Sequence, residues 1–349
     1  MLYETTEPKV KYQKFSEEEY FPHKHPGFGT KAIHAGQDPE PIHGSVNVPV
    51  HLSSTYAQKD IATLYSHFDY SRCGNPTRMA LEECLTALEY GKSAIAFSSG
   101  CGATATLLHT LKTGDHVVVC DDVYGGTNRY MRRYFNDKHG MQAEFVDITD
   151  VNNVTKAIKK ETKMIWIETP TNPTLKIVDI DVVVKAVRAV DPSIKIIVDN
   201  TFSSPYITSP LLLGADVAYH SITKYIGGHS DLVMGALVFK DNDYMKVAHM
   251  AAMSIGVNPG PFDCYLALRG IKTLELRVIQ ATKSAYHLAH FLEKHPHVDS
   301  VIYPGLKSNK YHEVAKKQMR GFGGMISFRV KGGKEEASKF LKACKVFTL

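Results

Sequence analysis

The chain has 349 residues, 44% of them hydrophobic and 22% charged, with a formal net charge of +5 at neutral pH. This is an ordinary globular composition, long enough for two domains, and its small, interspersed basic excess argues against nucleic-acid binding. No apolar run reaches the ~18 residues of a membrane span, and the charged first 30 residues lack the apolar core of a secretion signal.

Six cysteines (Cys73, Cys84, Cys101, Cys120, Cys264, Cys344) are scattered without a Cys-x-x-Cys pair. That pattern suits free thiols in a reducing cytoplasm. Among 17 histidines the tightest pairs are His23/His25 and His295/His297, and none has a helical His-Glu-x-x-His spacing or a nearby cysteine. No metal is expected.

Taken in order, residues 1–30 are polar, carry Pro22 and Pro26, and read as an arm or flexible leader. Residues 29–56 show no helical period and predict an extended arm, better suited to lie on another subunit than to form a core. A turn-rich segment follows at 70–77, then a helix over 77–88 with Leu81, Leu85 and Leu88 on one face. From there short apolar runs alternate with helical stretches, which predicts an α/β fold with a mostly parallel sheet. The candidate strands are 94–97, 116–120, 143–145, 164–167, 195–198, 217–219 and 236–239.

Several of these strands end in chemistry: Ser98-Ser99-Gly100 after the first, Glu168 after 164–167, Asp199 after 195–198. Open parallel sheets hold ligands beyond the carboxyl ends of their strands. After Val257-Asn258-Pro259-Gly260 the pattern becomes one long helix over 261–294. A strand-like segment at 324–330, a helix at 335–343 and the opening of another strand at 347–349 complete the chain. Two nucleotide motifs fail. Gly91-Lys92-Ser93 lacks the glycine a phosphate loop needs at position 86, where Thr86 stands, and no Gly-x-Gly-x-x-Gly follows a strand.

The most informative stretch is 216–230, Asp-Val-Ala-Tyr-His-Ser-Ile-Thr-Lys-Tyr-Ile-Gly-Gly-His-Ser. A lysine in a Ser/Thr-rich loop is usually a solvated surface residue. Here an apolar lead-in delivers Lys224 into a loop between Ser221, Thr223 and the pair Gly227-Gly228. A deprotonated lysine attacks carbonyls, and the hydroxyls just before it could hold a phosphate beside the same carbon. Those are the two handles of pyridoxal 5′-phosphate.

The whole stretch resembles, position for position, the lysine signature of the Cys/Met-metabolism family of pyridoxal-phosphate enzymes. Its elements are an acid, a hydrophobic residue, three variable positions, two small residues, Thr-Lys, an aromatic and Gly-His. The resemblance runs over about residues 28–349 and implies the fold-type I transferase-like architecture: a mostly parallel seven-stranded sheet flanked by helices, with a smaller α+β C-terminal domain. On that pattern residues 1–70 are leader and inter-subunit arm, 71–257 the large cofactor domain, and 258–349 an incomplete C-terminal domain.

The resemblance also implies roles. Gly100 and Cys101 would hold the phosphate through backbone N–H groups at a helix start, joined by the hydroxyls of Ser221 and Thr223. Asp199 would face the ring nitrogen and keep it protonated. Tyr124, in Asp-Asp-Val-Tyr-Gly-Gly-Thr (121–127), would stack on the ring and protonate the departing thiolate. Tyr70 and Arg72 would reach the phosphate site of a neighbouring subunit in a homotetramer with shared active sites. Asn172, Arg129 and Asp69 would lie near the small amino-acid substrate. The segments 121–130, 167–173 and 264–274 are most similar to eukaryotic cystathionine γ-lyases within that family.

The implied reaction is γ-elimination of L-cystathionine to L-cysteine, 2-oxobutanoate and ammonia, with hydrogen sulfide release as a side activity. Cystathionine γ-synthase and methionine γ-lyase are neighbouring chemistries. Asp69 stands where γ-lyases commonly carry glutamate, and Cys73 and Cys101 replace residues usually Ser and Leu or Met. The family's Ser-Leu-Gly-Gly segment and carboxylate-binding arginine are not in the sequence. Two classes therefore stay open: a carbon–sulfur lyase, and a catalytically impaired cofactor-binding partner subunit.

Overall fold

The computed structural model describes residues 13–348 apart from Lys24, so the leader reading for residues 1–12 lies outside the described residues. Beyond them the arm is less extended than its sequence suggests. Phe28–His34 forms a helix, α1, because Phe28 and Ala32, one turn apart, are both buried, and Tyr20 and Phe21 are buried as well. Phe15 meets Tyr286 edge-to-face at 4.8 Å. Anchored aromatics thus correct the flexible-leader and extended-arm readings for residues 15–34. The stretch from Gln37 to Ser71 does run mostly as loop, with a short hairpin at Gln58–Asp60 and Thr63–Leu64.

Helix α2 spans Pro76–Leu88. The Asn75 side chain accepts the N–H groups of Thr77 and Arg78, Pro76 occupies the first turn, and Leu81, Leu85 and Leu88 are fully buried. Seven strands then build the central sheet: β1 Ser93–Phe97, β2 His116–Cys120, β3 Gln142–Val146, β4 Thr162–Glu168, β5 Lys195–Asp199, β6 Val217–Ser221 and β7 Gly235–Phe239. All seven predicted strands are present, each within two residues of its predicted bounds. Their spatial order is β1-β7-β6-β5-β4-β2-β3, and only β7 runs against the rest. Val117, Val118, Val119, Ile165, Trp166, Ile196, Ile197 and Val198 are all inaccessible to solvent, as in a sheet covered on both faces.

The covering helices include α3 Gly100–Leu108, α4 Gly125–Tyr130, α5 Ile180–Val190 and α6 Asn242–Ile255. The long helix predicted over 261–294 is in fact two, α7 Pro261–Ile271 and α8 Leu274–Glu293. The Gly270 carbonyl accepts the Thr273 N–H at 3.2 Å and the Arg277 guanidinium at 2.8 Å, which closes the first helix and turns the chain. A second small sheet pairs β8 Val298–Ile302 antiparallel with β9 Ser327–Val330, and α9 Lys334–Ala343 follows. Strand β9 is shorter than the predicted 324–330. The ending at 345–348 is bent rather than a strand, and Leu349 lies outside the described residues.

Candidate active site

Five strands bring chemistry to one place because they run parallel and end on the same side of the sheet. Ser99 and α3 follow β1, Tyr124 follows β2, Glu168 ends β4, Asp199 ends β5, and Ser221 ends β6 with Lys224 in the turn beyond. A cavity of about 540 Å3 forms at their meeting point. Eight of the sequence-derived candidates line it: Gly100, Cys101, Tyr124, Asn172, Asp199, Ser221, Thr223 and Lys224. Among the described residues Lys224 is the only cation that lines it. A second hollow of about 940 Å3 opens on the other flank of Lys224, towards Asp231, Asp263 and Arg277.

Two carboxylates stand side by side at the cavity floor, since Glu168 and Asp199 are register partners on adjacent strands. Each is 5% exposed. Burial pushes the Asp199 carboxyl up to about 6, against the pull of its hydrogen bond from the Thr201 N–H and of nearby His220. Glu168 is raised well above the ordinary range by burial and then by the Asp199 charge, opposed by two N–H donors. Beneath them Trp166 packs edge-on against Tyr219 at 5.3 Å, and Tyr219 lines the cavity.

The start of α3 is a donor-rich wall. Ser99 caps it by accepting the Gly102 N–H at 3.0 Å, and among the described residues the N–H groups of Gly100 and Cys101 have no acceptor within the chain. A Cβ on Gly100 would sit 2.6 Å from the Tyr219 hydroxyl, so only glycine lets this turn approach β6. The Ser221 hydroxyl has no partner among the described residues. Thr223 differs: its hydroxyl donates to the Met234 carbonyl at 3.2 Å and accepts the Met234 N–H at 3.1 Å.

Tyr124 is 47% exposed at the N-terminus of α4. Its N–H donates to Glu168 Oε2 at 2.8 Å, and the Asn172 N–H donates to Oε1 of the same carboxylate at 3.1 Å. Asp122 makes a second tie between these loops, accepting from the Thr171 hydroxyl at 2.7 Å and from the Thr174 N–H at 3.2 Å. Sequence reasoning noted Glu168 only as a strand end. Its acceptor role escaped because its partners are main-chain groups.

Four candidates do not line their own chain's cavity. Asp69, Tyr70, Arg72 and Arg129 are all exposed. Arg72 donates to the Met253 carbonyl at 3.0 Å, and its guanidinium lies 5.5 Å from the Tyr70 ring centre. Met325, from the segment before β9, and Phe202 and Val233 line the cavity without having been singled out. Apolar side chains in loops give no sequence signal for this.

The lysine turn, the buried carboxylates and the helix start thus meet in one cavity. Residues 29–349 match the model of the Cys/Met metabolism PLP-dependent enzymes. The chain belongs to that family. It is 49% identical over 320 residues to a protein named probable cystathionine gamma-synthase from Herpetosiphon aurantiacus, covering 92% of this chain and 99% of that one. It is 47% identical over 321 residues to a cystathionine gamma-lyase from Dictyostelium discoideum, covering 92% and 82%. The crystal structure of metB from Corynebacterium glutamicum superposes with a TM-score of 0.91 at 45% identity, over 96% of this chain and 85% of that one.

The family's fold is the fold-type I α/β arrangement seen here, and its cofactor is pyridoxal 5′-phosphate. The cavity suits that group on three counts. Among the described residues it sets one lysine beside two buried carboxylates that make no ion pair, it offers unpaired N–H groups at a helix start, and an exposed tyrosine stands at its rim. Among the described residues no helix is long and apolar enough to cross a membrane.

Proposed function

We propose that this chain is a cystathionine γ-lyase, cleaving L-cystathionine to L-cysteine, 2-oxobutanoate and ammonia. The observation that carries this is the convergence of Lys224, Asp199, Tyr124 and the α3 N-terminus on one cavity. Bound there, pyridoxal phosphate supplies an electron sink for the carbanions formed at Cα and then Cβ of the amino acid.

The chain's own groups do the rest. Lys224 Nζ holds the cofactor, then takes the Cα proton and moves protons between Cα and Cβ. Asp199, in no ion pair among the described residues, holds the ring-nitrogen proton. Gly100, Cys101 and Ser221 donate to the phosphate; Thr223 joins them only by releasing the Met234 carbonyl. Tyr124 covers the ring and protonates the departing thiolate. Asn172 borders the substrate, with Arg129 and Asp69 further out.

A second reading is cystathionine γ-synthase. It is favoured by Asp69, an acid synthases can carry, and by the name of the Herpetosiphon relative. We infer a shared active site in a homotetramer: Tyr70 and Arg72 are exposed and do not line their own cavity, and the loop between Gln37 and Ser71 exposes Ile42, Val46, Leu52, Ile61 and Tyr65. The free cysteines suit a cytoplasmic location.

Product analysis decides. The purified chain, loaded with pyridoxal phosphate, should show a visible absorption band that Lys224→Ala abolishes, and should release 2-oxobutanoate from L-cystathionine. Cystathionine made from an activated homoserine ester and cysteine, with no 2-oxobutanoate from cystathionine, would replace the lyase by the synthase. A band with neither product would leave a cofactor-binding subunit without turnover.

A further inference from the structure

Building on the cofactor-site reading above, we infer that Glu168 is the positioning residue of this site. Its buried carboxylate bridges the two loops that carry Tyr124 and Asn172 and sets how both groups stand over the Lys224 cavity.

Each carboxylate oxygen takes one main-chain donor: Oε2 the Tyr124 N–H at 2.8 Å, Oε1 the Asn172 N–H at 3.1 Å. The two donors come from loops after different strands, β2 and β4, so the bridge spans 44 residues in one direction and four in the other. Only an acceptor at both oxygens satisfies this geometry. Glutamine offers one oxygen and one NH2, which would face an N–H with another N–H.

General stabilisation is a poor account of this side chain. The same two loops are already tied by Asp122 through Thr171 and Thr174, in a half-exposed position where a carboxylate is cheap to keep. Glu168 sits beside Asp199 in the sheet register, almost wholly buried, where a second carboxylate is costly to place. The groups facing it are Asp199, Asp122 and the two N–H donors. What the bridge adds over the Asp122 tie is a fixed height for Tyr124 and Asn172 at the cavity rim. Misplacement of such groups by about 1 Å can cost on the order of 100-fold in rate.

The test uses the cofactor-loaded chain and four variants: Glu168→Gln, Glu168→Asp, Tyr124→Ala and the double Glu168→Gln/Tyr124→Ala. Trp166, the only tryptophan, lies under the cavity and reports cofactor affinity by fluorescence. Visible circular dichroism of the bound cofactor reports the asymmetry of its surroundings. Glu168→Gln should melt close to the parent, bind cofactor, and show an altered visible dichroic band. Its kcat on the substrate the parent turns over should fall about 10- to 100-fold with KM changed far less.

Glu168→Asp, which keeps both acceptor oxygens, should recover part of the loss. In the Tyr124→Ala background the Gln substitution should cost less, because the two act through one another. An unaltered band and kcat in Glu168→Gln, or losses that simply add in the double variant, would overturn the positioning role. A parent protein that binds no cofactor at all would instead overturn the site reading on which it rests.

Discussion

Asp199 is held in the folded chain at a burial cost that the Thr201 hydrogen bond and nearby His220 relieve only in part. Its carboxyl, ordinarily near 3.8, is pushed up to about 6 by burial. A folded value above the unfolded one contributes stability that is fully present below about 3.8 and lost as pH rises through about 6. Glu168 is shifted in the same direction. The cofactor-free chain should therefore gain resistance to urea as pH falls from 7 to 5. Asp199→Asn should be more stable than the parent at pH 7, should flatten that gain, and should bind cofactor more weakly. A cofactor-free parent whose urea midpoint is flat from pH 5 to 7 would show that Asp199 already has a counter-charge.

At this scale the sequence was legible through one long motif rather than through single residues. Lys224, Asp199 and Tyr124 stood out because the 15-residue stretch around Lys224 resembles a family signature that assigns all three; alone, a lysine between hydroxyls or an acid ending an apolar run is ordinary. Glu168 and the engagement of Thr223 were not legible, since both depend on main-chain partners brought close only by folding.

Among the elements, the approach of α3 to the sheet is the tightest constraint. A Cβ on Gly235 would lie 2.5 Å from the Ser99 carbonyl oxygen and 2.7 Å from Gly100 Cα, so the first residue of β7 must be glycine for the helix start to seat. Gly235→Ala meets main-chain atoms that cannot swing aside. It should destabilise the fold by about 1–3 kcal/mol. The helix start is the proposed phosphate wall, so affinity for pyridoxal phosphate should fall more than affinity for pyridoxal, which lacks the phosphate. Equal losses for both ligands would place the phosphate elsewhere.

The seven sheet strands were readable because each is a short apolar run bounded by turn residues. Strand β8 was missed because Val-Asp-Ser-Val-Ile is half polar and only partly buried. The break between α7 and α8 was missed for another reason: no proline marks it, and Gly270 and Thr273 act through a main-chain turn closed by Arg277 from the next helix. Helix α1 is short, and its burial comes from aromatics elsewhere in the chain.

At the scale of the whole molecule, the proposed shared site makes assembly testable by complementation. If Tyr70 and Arg72 serve a neighbouring cavity, Arg72→Ala and Lys224→Ala damage different chains' contributions to one site. Each variant alone should be nearly inactive. Mixed and reassembled, random pairing should restore roughly a quarter of the parent activity, since half the pairs are hybrid and each hybrid has one intact site. A mixture no more active than its components would confine the site to one chain. The antiparallel strand β7 has a consequence of another kind. Strand β1 lies at the sheet edge and its only neighbour is β7, which leaves the ribosome about 140 residues later. Until it arrives, the helix start after β1 and the lysine turn after β6 belong to two unjoined pieces of sheet. A strand that carries none of the proposed chemistry is thus the one whose synthesis joins the two pieces, and a nascent chain halted before residue 235 should be unable to hold the cofactor.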